Sequence, residues 1–101
     1  MRYVNKVSNI GMTALMYASR YGYNTIVQML LAVPGVDVNL ANNNGRTALI
    51  LASTYGNDKI VEMLLAAPGV DVNLADKFGG TALMCAKTPA IRKLLIAAGA
   101  H

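Results

Sequence analysis

The chain reads as an all-α solenoid, in which antiparallel helix pairs stack side by side and are joined by hairpin-like loop fingers. Three observations predict this. The sequence repeats itself at a fixed interval. Each copy holds two short segments with helical start and stop signals. A turn-rich stretch too short for a helix separates one copy from the next.

Gly11-Met12-Thr13-Ala14-Leu15 returns as Gly45-Arg46-Thr47-Ala48-Leu49 and again as Gly79-Gly80-Thr81-Ala82-Leu83, each time displaced by 34 residues. Ile26 to Leu31 matches Ile60 to Leu65 at five of six positions, and Val36 to Ala41 recurs unchanged as Val70 to Ala75. Tyr3-Val4-Asn5 aligns with Asp37-Val38-Asn39, so the chain opens within a repeat. The division is therefore a partial leading hairpin over 1–10, repeats over 11–44 and 45–78, and a shortened C-terminal unit over 79–101 of one domain. The distance from the opening glycine to the matching leucine is 19 residues in the first unit (Gly11 to Leu30) and 15 in the last (Gly79 to Leu94). Four residues are thus missing from the middle of the last unit.

Within a unit, Thr13 is placed to cap a helix over Ala14–Tyr21, because its side-chain oxygen can accept a backbone N–H of the first turn. Gly22 ends that helix in the left-handed conformation glycine tolerates. Asn24 is the expected cap of a second helix from Thr25 to about Val33, where Ile26, Val27, Leu30 and Leu31 form one apolar face. Pro34-Gly35 stops it. Val36 to Asn44 reads as an extended finger, a two-stranded hairpin ending in a turn. The second unit repeats the pattern with Thr47, Gly56, Asn57 or Asp58, and Pro68-Gly69. In the third, Thr88 and Pro89 start a final helix running to about Ala98, with Gly99 beyond its end. Asn5, Asn39 and Asn73 align in successive units and are expected to form a hydrogen-bond ladder between fingers, flanked by Asp37 and Asp71. Two full units and a short third lie near the minimum that can bury a continuous core, so modest stability is expected.

Composition limits the function. Nine Lys and Arg against five Asp and Glu leave a net charge of +4, with the basic residues dispersed. That pattern lacks the clustered footprint of a nucleic-acid binder. Mean hydropathy is +0.39, but no apolar stretch approaches the ~18 residues of a membrane span. The first residues lack the apolar core of a secretory signal. With the single Cys85, this suggests a reducing, cytoplasmic setting, compatible also with delivery by a non-Sec route. Cys85 aligns with Tyr17 and Leu51 and is expected to point toward the core. Most of the six methionines are expected on apolar faces. His101 is the only histidine and the last residue, Asp58 and Glu62 share one exposed helix turn, and there is no phosphate-binding glycine loop or metal-ligand cluster. No cofactor, metal, small-molecule substrate or catalytic residue is expected, and the chain is not expected to be an enzyme.

These motifs, Gly-x-Thr-Ala-Leu-x-x-Ala, Ile-Val-x-Met-Leu-Leu and Val-Asp-Val-Asn, resemble the ankyrin repeat over essentially the whole chain. The ending from Ala86 to Leu95 resembles the family's shortened terminal unit. The resemblance implies an ankyrin-repeat α-solenoid that binds a protein partner through hairpin tips and a concave face lined by the first helices. There are departures. Where the family has Thr-Pro-Leu-His, this chain has Met16, Ile50 and Met84 in place of His, so the family's Thr–His bonds are missing. The unit is one residue longer than the family's ~33. The Asp that opens the family's finger tip survives only as Asp76, with Ser8 and Asn42 in the earlier units.

The family's variable surface maps onto Asn9, Ile10, Met12, Arg20 and Tyr21; Ala41, Asn43, Asn44, Arg46, Thr54 and Tyr55; and Ala75, Lys77, Phe78, Gly80 and Lys87. Differences between otherwise near-identical copies at these positions suggest that packing does not fix them. Tyr21, Tyr55 and Phe78 are the expected aromatic anchors. Arg20, Arg46, Lys77 and Lys87 occur without Asp or Glu, so a partner with an acidic patch is expected. Two other functions compete. One is self-association, or membership of a longer array, through an uncovered N-terminal unit exposing Met16 and Ile26. The other, weaker one is nucleic-acid binding, favoured only by net charge.

Overall fold

A computed structural model describes residues 3–101. Among the described residues, six helices form three antiparallel pairs: α1 (Ala14–Tyr21) with α2 (Asn24–Leu31), α3 (Ala48–Thr54) with α4 (Asp58–Leu65), and α5 (Ala82–Cys85) with α6 (Pro89–Ala97). The pairs stack in order, α1 on α3 on α5 in one layer and α2 on α4 on α6 in the other. Val27, Ile50, Ile60, Val61, Leu64, Ile91 and Leu95 fill the seam between layers and are fully buried. Each helix alone presents its apolar face to water, and only the neighbouring pair covers it.

Local chemistry sets the helix starts. Thr13, Thr47, Thr81 and Thr88 adopt extended backbone, and their hydroxyls accept the N–H of the third residue onward at 3.1–3.3 Å. Pro89 occupies the first turn of α6, where its missing N–H costs nothing. Gly22 closes α1 with φ 78°. In the first unit Met16 takes over part of the absent histidine's role, since its Sδ accepts the Thr13 N–H at 3.4 Å.

The second helices start differently from expectation. Asn24 is the first residue of α2, and Tyr23 occupies the cap without a side-chain bond. Asn57 does hold the cap position of α4, yet its side chain turns away. Its Nδ2 donates to the Ser19 and Arg20 carbonyls at 2.6 and 3.1 Å. It thereby closes the C-terminus of the preceding unit's α1, satisfying two carbonyls where a cap would satisfy one N–H. In the third unit the chain turns after four helical residues, and the Lys87 backbone N–H supplies the equivalent bond to Ser53 O at 3.0 Å. That is how four missing residues are absorbed.

The fingers are tight turns rather than two-stranded hairpins. The described residues contain only the isolated antiparallel bridges Ala41–Thr47 and Ala75–Thr81. Each turn closes by an N–H to C=O bond: Gly11 to Ser8, Gly45 to Asn42, and Gly79 to Asp76, at 2.9–3.0 Å. The residue opening each tip does the same work whatever its identity. Ser8 Oγ accepts from Met12 N, Asn42 Oδ1 from Asn44 N and Arg46 N, and Asp76 Oδ1 from Phe78 N and Gly80 N. The asparagine ladder forms as expected. Asn5 bridges Gly35 O and Asp37 N, Asn39 bridges Gly69 O and Asp71 N, and Asn73 bridges Gly99 O and His101 N. Asp37 and Asp71 accept from Asn39 N and Asn73 N beside it.

The ends of the stack differ from its middle. Ile60 is 0% exposed, while its counterpart Ile26 is 46% exposed, because among the described residues no helix pair packs on the outer side of α2. Met29 is exposed where Met63 is partly covered, and Met84 is exposed where Ile50 is buried. Two of the five described methionines therefore lie on open surface, while Met12, Met16 and Met63 pack in or against the core as expected of most of them. Met16, expected to be open, is buried, since it faces the following unit rather than the uncovered end. Cys85 is half-buried against the core.

Candidate binding surface

The fingers project a row of tips held by backbone bonds. Asn43 N donates to Ile10 O and Lys77 N to Asn44 O, both at 3.0 Å, so each tip is pinned to its predecessor. Asn43 Nδ2 adds a bond to Asn9 O at 3.2 Å. Asn9, Ile10, Asn43, Asn44, Lys77 and Phe78 are all exposed along this row, as are Ala41 and Ala75 at its base. Phe78 is 80% exposed and does not fold back onto Met84.

A second cluster sits where the first helices end. Arg20 and Tyr21 form the last turn of α1, and Tyr55 caps α3. The Arg20 guanidinium lies 5.1 Å from the Tyr21 ring centroid and 5.0 Å from that of Tyr55. Cation–π attraction thus holds one arginine against two rings from adjacent units. Tyr23 stacks on Tyr21 with centroids 6.2 Å apart. Sequence reasoning passed over Tyr23, although its spacing from Tyr21 across Gly22 was the signal. Lys87 is exposed beyond α5. Thr54 is half-buried, and its hydroxyl donates to the Ile50 carbonyl at 2.7 Å, so its polar group is used within its own helix.

Two expected contact residues have structural roles instead. Met12 is 4% exposed, and its Sδ accepts from Asn42 Nδ2 at 3.3 Å. It is enclosed by the next finger and leaves the candidate surface. Arg46, at the same place one unit later, is half-buried, with its Nε 3.6 Å from Asp76 Oδ2. The inference that packing leaves these positions free was therefore mistaken. Met12 faces Asn42 and Arg46 faces Asp76, so the differences between copies come as matched pairs across the repeat interface. Gly80, at the same position of the last unit, is half-buried and packs against Asp76.

Asp76 is held below the ordinary carboxyl value of 3.8 chiefly by the Gly80 N–H, opposed by partial desolvation and helped by the Phe78 N–H and Arg46. A depressed folded-state value stabilises the protein above the unfolded value, and that contribution is lost as pH falls through the folded one. Asp76→Asn keeps the acceptor oxygen, as Asn42 does, and removes the titration. The expected result is a flatter loss of stability below pH 3.8 than in the parent chain, read as thermal midpoints across an acid series.

Stacked helix pairs with projecting fingers define the class as a helical repeat solenoid. The family model for ankyrin repeats, in three copies, matches residues 2–76 and 31–101. The chain belongs to the ankyrin-repeat family, whose members are generally protein–protein interaction modules and typically non-catalytic. No curated protein matches it. Among the described residues, no helix is long and apolar enough to cross a membrane, and no cluster of His, Cys, Asp or Glu could hold a metal ion.

Proposed function

We propose that the chain is a non-catalytic module that binds a protein partner along the finger tips and the concave face lined by the first helices, as far as the C-terminal ends of α1 and α3. The observation that carries this is the exposed aromatic set on pinned elements: Phe78 at a tip fixed by backbone bonds, and Tyr21 and Tyr55 clasping Arg20. Rigid aromatic groups bury large area at little entropic cost. Asn9, Ile10, Asn43, Asn44 and Lys77 continue the row of tips that ends at Phe78, and Lys87 lies against Gly56 next to Tyr55. The exposed cations Arg20, Lys77 and Lys87 suit a partner with an acidic patch, and their charge would chiefly speed and orient encounter. The family's role and the reducing setting suggested by composition favour work inside a cell. Capture from a native lysate tests the reading. Proteins retained by the parent chain should be lost from a folded variant carrying Tyr21→Ala, Tyr55→Ala and Phe78→Ala. Retention of every partner would refute it.

A second reading is self-association through the uncovered first unit, favoured by the contrast between exposed Ile26 and buried Ile60. Light scattering at high concentration checks it: a monomer throughout counts against it.

A further inference from the structure

Resting on the binding-module reading, we infer that Arg20, clasped by Tyr21 and Tyr55, is the seat for a single carboxylate side chain of an acidic peptide segment. The guanidinium is oriented before any partner arrives, with ring centroids 5.1 and 5.0 Å away. Its own helix does not need it as a cap. Ala18 O already accepts from Gly22 N and Tyr23 N, and Ser19 O and Arg20 O accept from Asn57 Nδ2.

Nor do the other described residues supply a counter-ion. The chain's five acidic residues are engaged elsewhere: Asp76 with Arg46, Glu62 with Lys59, Asp58 beside Thr88, and Asp37 and Asp71 in the ladder loops. A planar fork of N–H donors with π faces against it and no acceptor fits the two oxygens of a carboxylate. Prior orientation lowers the entropy lost on pairing. The guanidinium brings one positive charge between uncharged rings and, pairing fork to fork with a carboxylate, neutralises it in full.

The test is an NMR titration of the intact chain with N-acetylated, C-amidated hexaglutamate, following the Arg20 Nε–H and the tyrosine rings. Hexaglutamine and inorganic phosphate at matched ionic strength serve as parallel arms. Hexaglutamate should shift Arg20, Tyr21 and Tyr55. Arg20→Gln should weaken binding about tenfold, Arg92→Gln, at an exposed position of α6 outside the proposed surface, should leave it unchanged, and hexaglutamine should not bind. Shifts confined to other cations, unchanged affinity in Arg20→Gln, or tighter binding of phosphate at Arg20 would each overturn the assignment. The titration needs no natural partner, so it fails or succeeds separately from the lysate capture.

Discussion

Ile60→Ala is expected to destabilise the protein by about 3 kcal/mol and to lower its thermal midpoint by on the order of 15 °C. The same replacement at Ile26 should cost less than about 1 kcal/mol. The two residues occupy the same position in successive units and belong to segments of near-identical sequence. They differ in burial, 0% against 46% exposed. Ile60 is enclosed because the first pair lies against α4, so truncation leaves a cavity as well as losing transferred area. Ile26 already meets water, and truncation there opens no cavity. Thermal and urea unfolding of both variants, followed by circular dichroism, measures the difference. Equal losses would mean that stacking between units contributes little to the core.

Gly45→Ala should cost about 2–3 kcal/mol, whereas Gly79→Ala should cost about 1 kcal/mol. Both glycines close finger turns with positive φ, 77° and 81°. An L-residue pays the left-handed penalty at either site. At Gly45 an added Cβ would also lie 2.9 Å from Lys77 N and 3.1 Å from Asp76 Cα, which are backbone atoms of the next finger. That finger is tied down by the Lys77 N–H to Asn44 O bond and cannot easily withdraw. Nothing lies within 4 Å of the position at Gly79, the last finger. The pair of unfolding curves separates conformational strain from steric exclusion. Equal losses would show that the fingers yield to each other freely.

Much of the architecture was legible in the residues. The threonine caps, the glycine stops and the Pro89 start act over three or four positions, so a short stretch of sequence is enough to locate them. The asparagine ladder was legible because its members recur at the repeat interval and a solenoid places such positions side by side. The candidate surface was less legible. Ile10, Lys77 and Phe78 could be placed on finger tips from turn composition. The clasp around Arg20 could not, because it joins rings from two units whose relative rotation no local signal encodes.

By itself, then, the sequence determined the repeating helix pairs, the threonine-capped helix starts, the positions of the fingers and the shortened last unit, while the second-helix caps and the tight-turn form of the fingers came from the structure. The tertiary structure alone decided that Met12 is enclosed, that Arg46 answers Asp76, that Asn57 closes the neighbouring helix and that Ile26 is open while Ile60 is not. The physical reason is range. Caps and turns depend on backbone groups a few residues apart, whereas these contacts join a side chain to a group 30 to 38 positions away. Which of them meet depends on how one helix pair seats on the next.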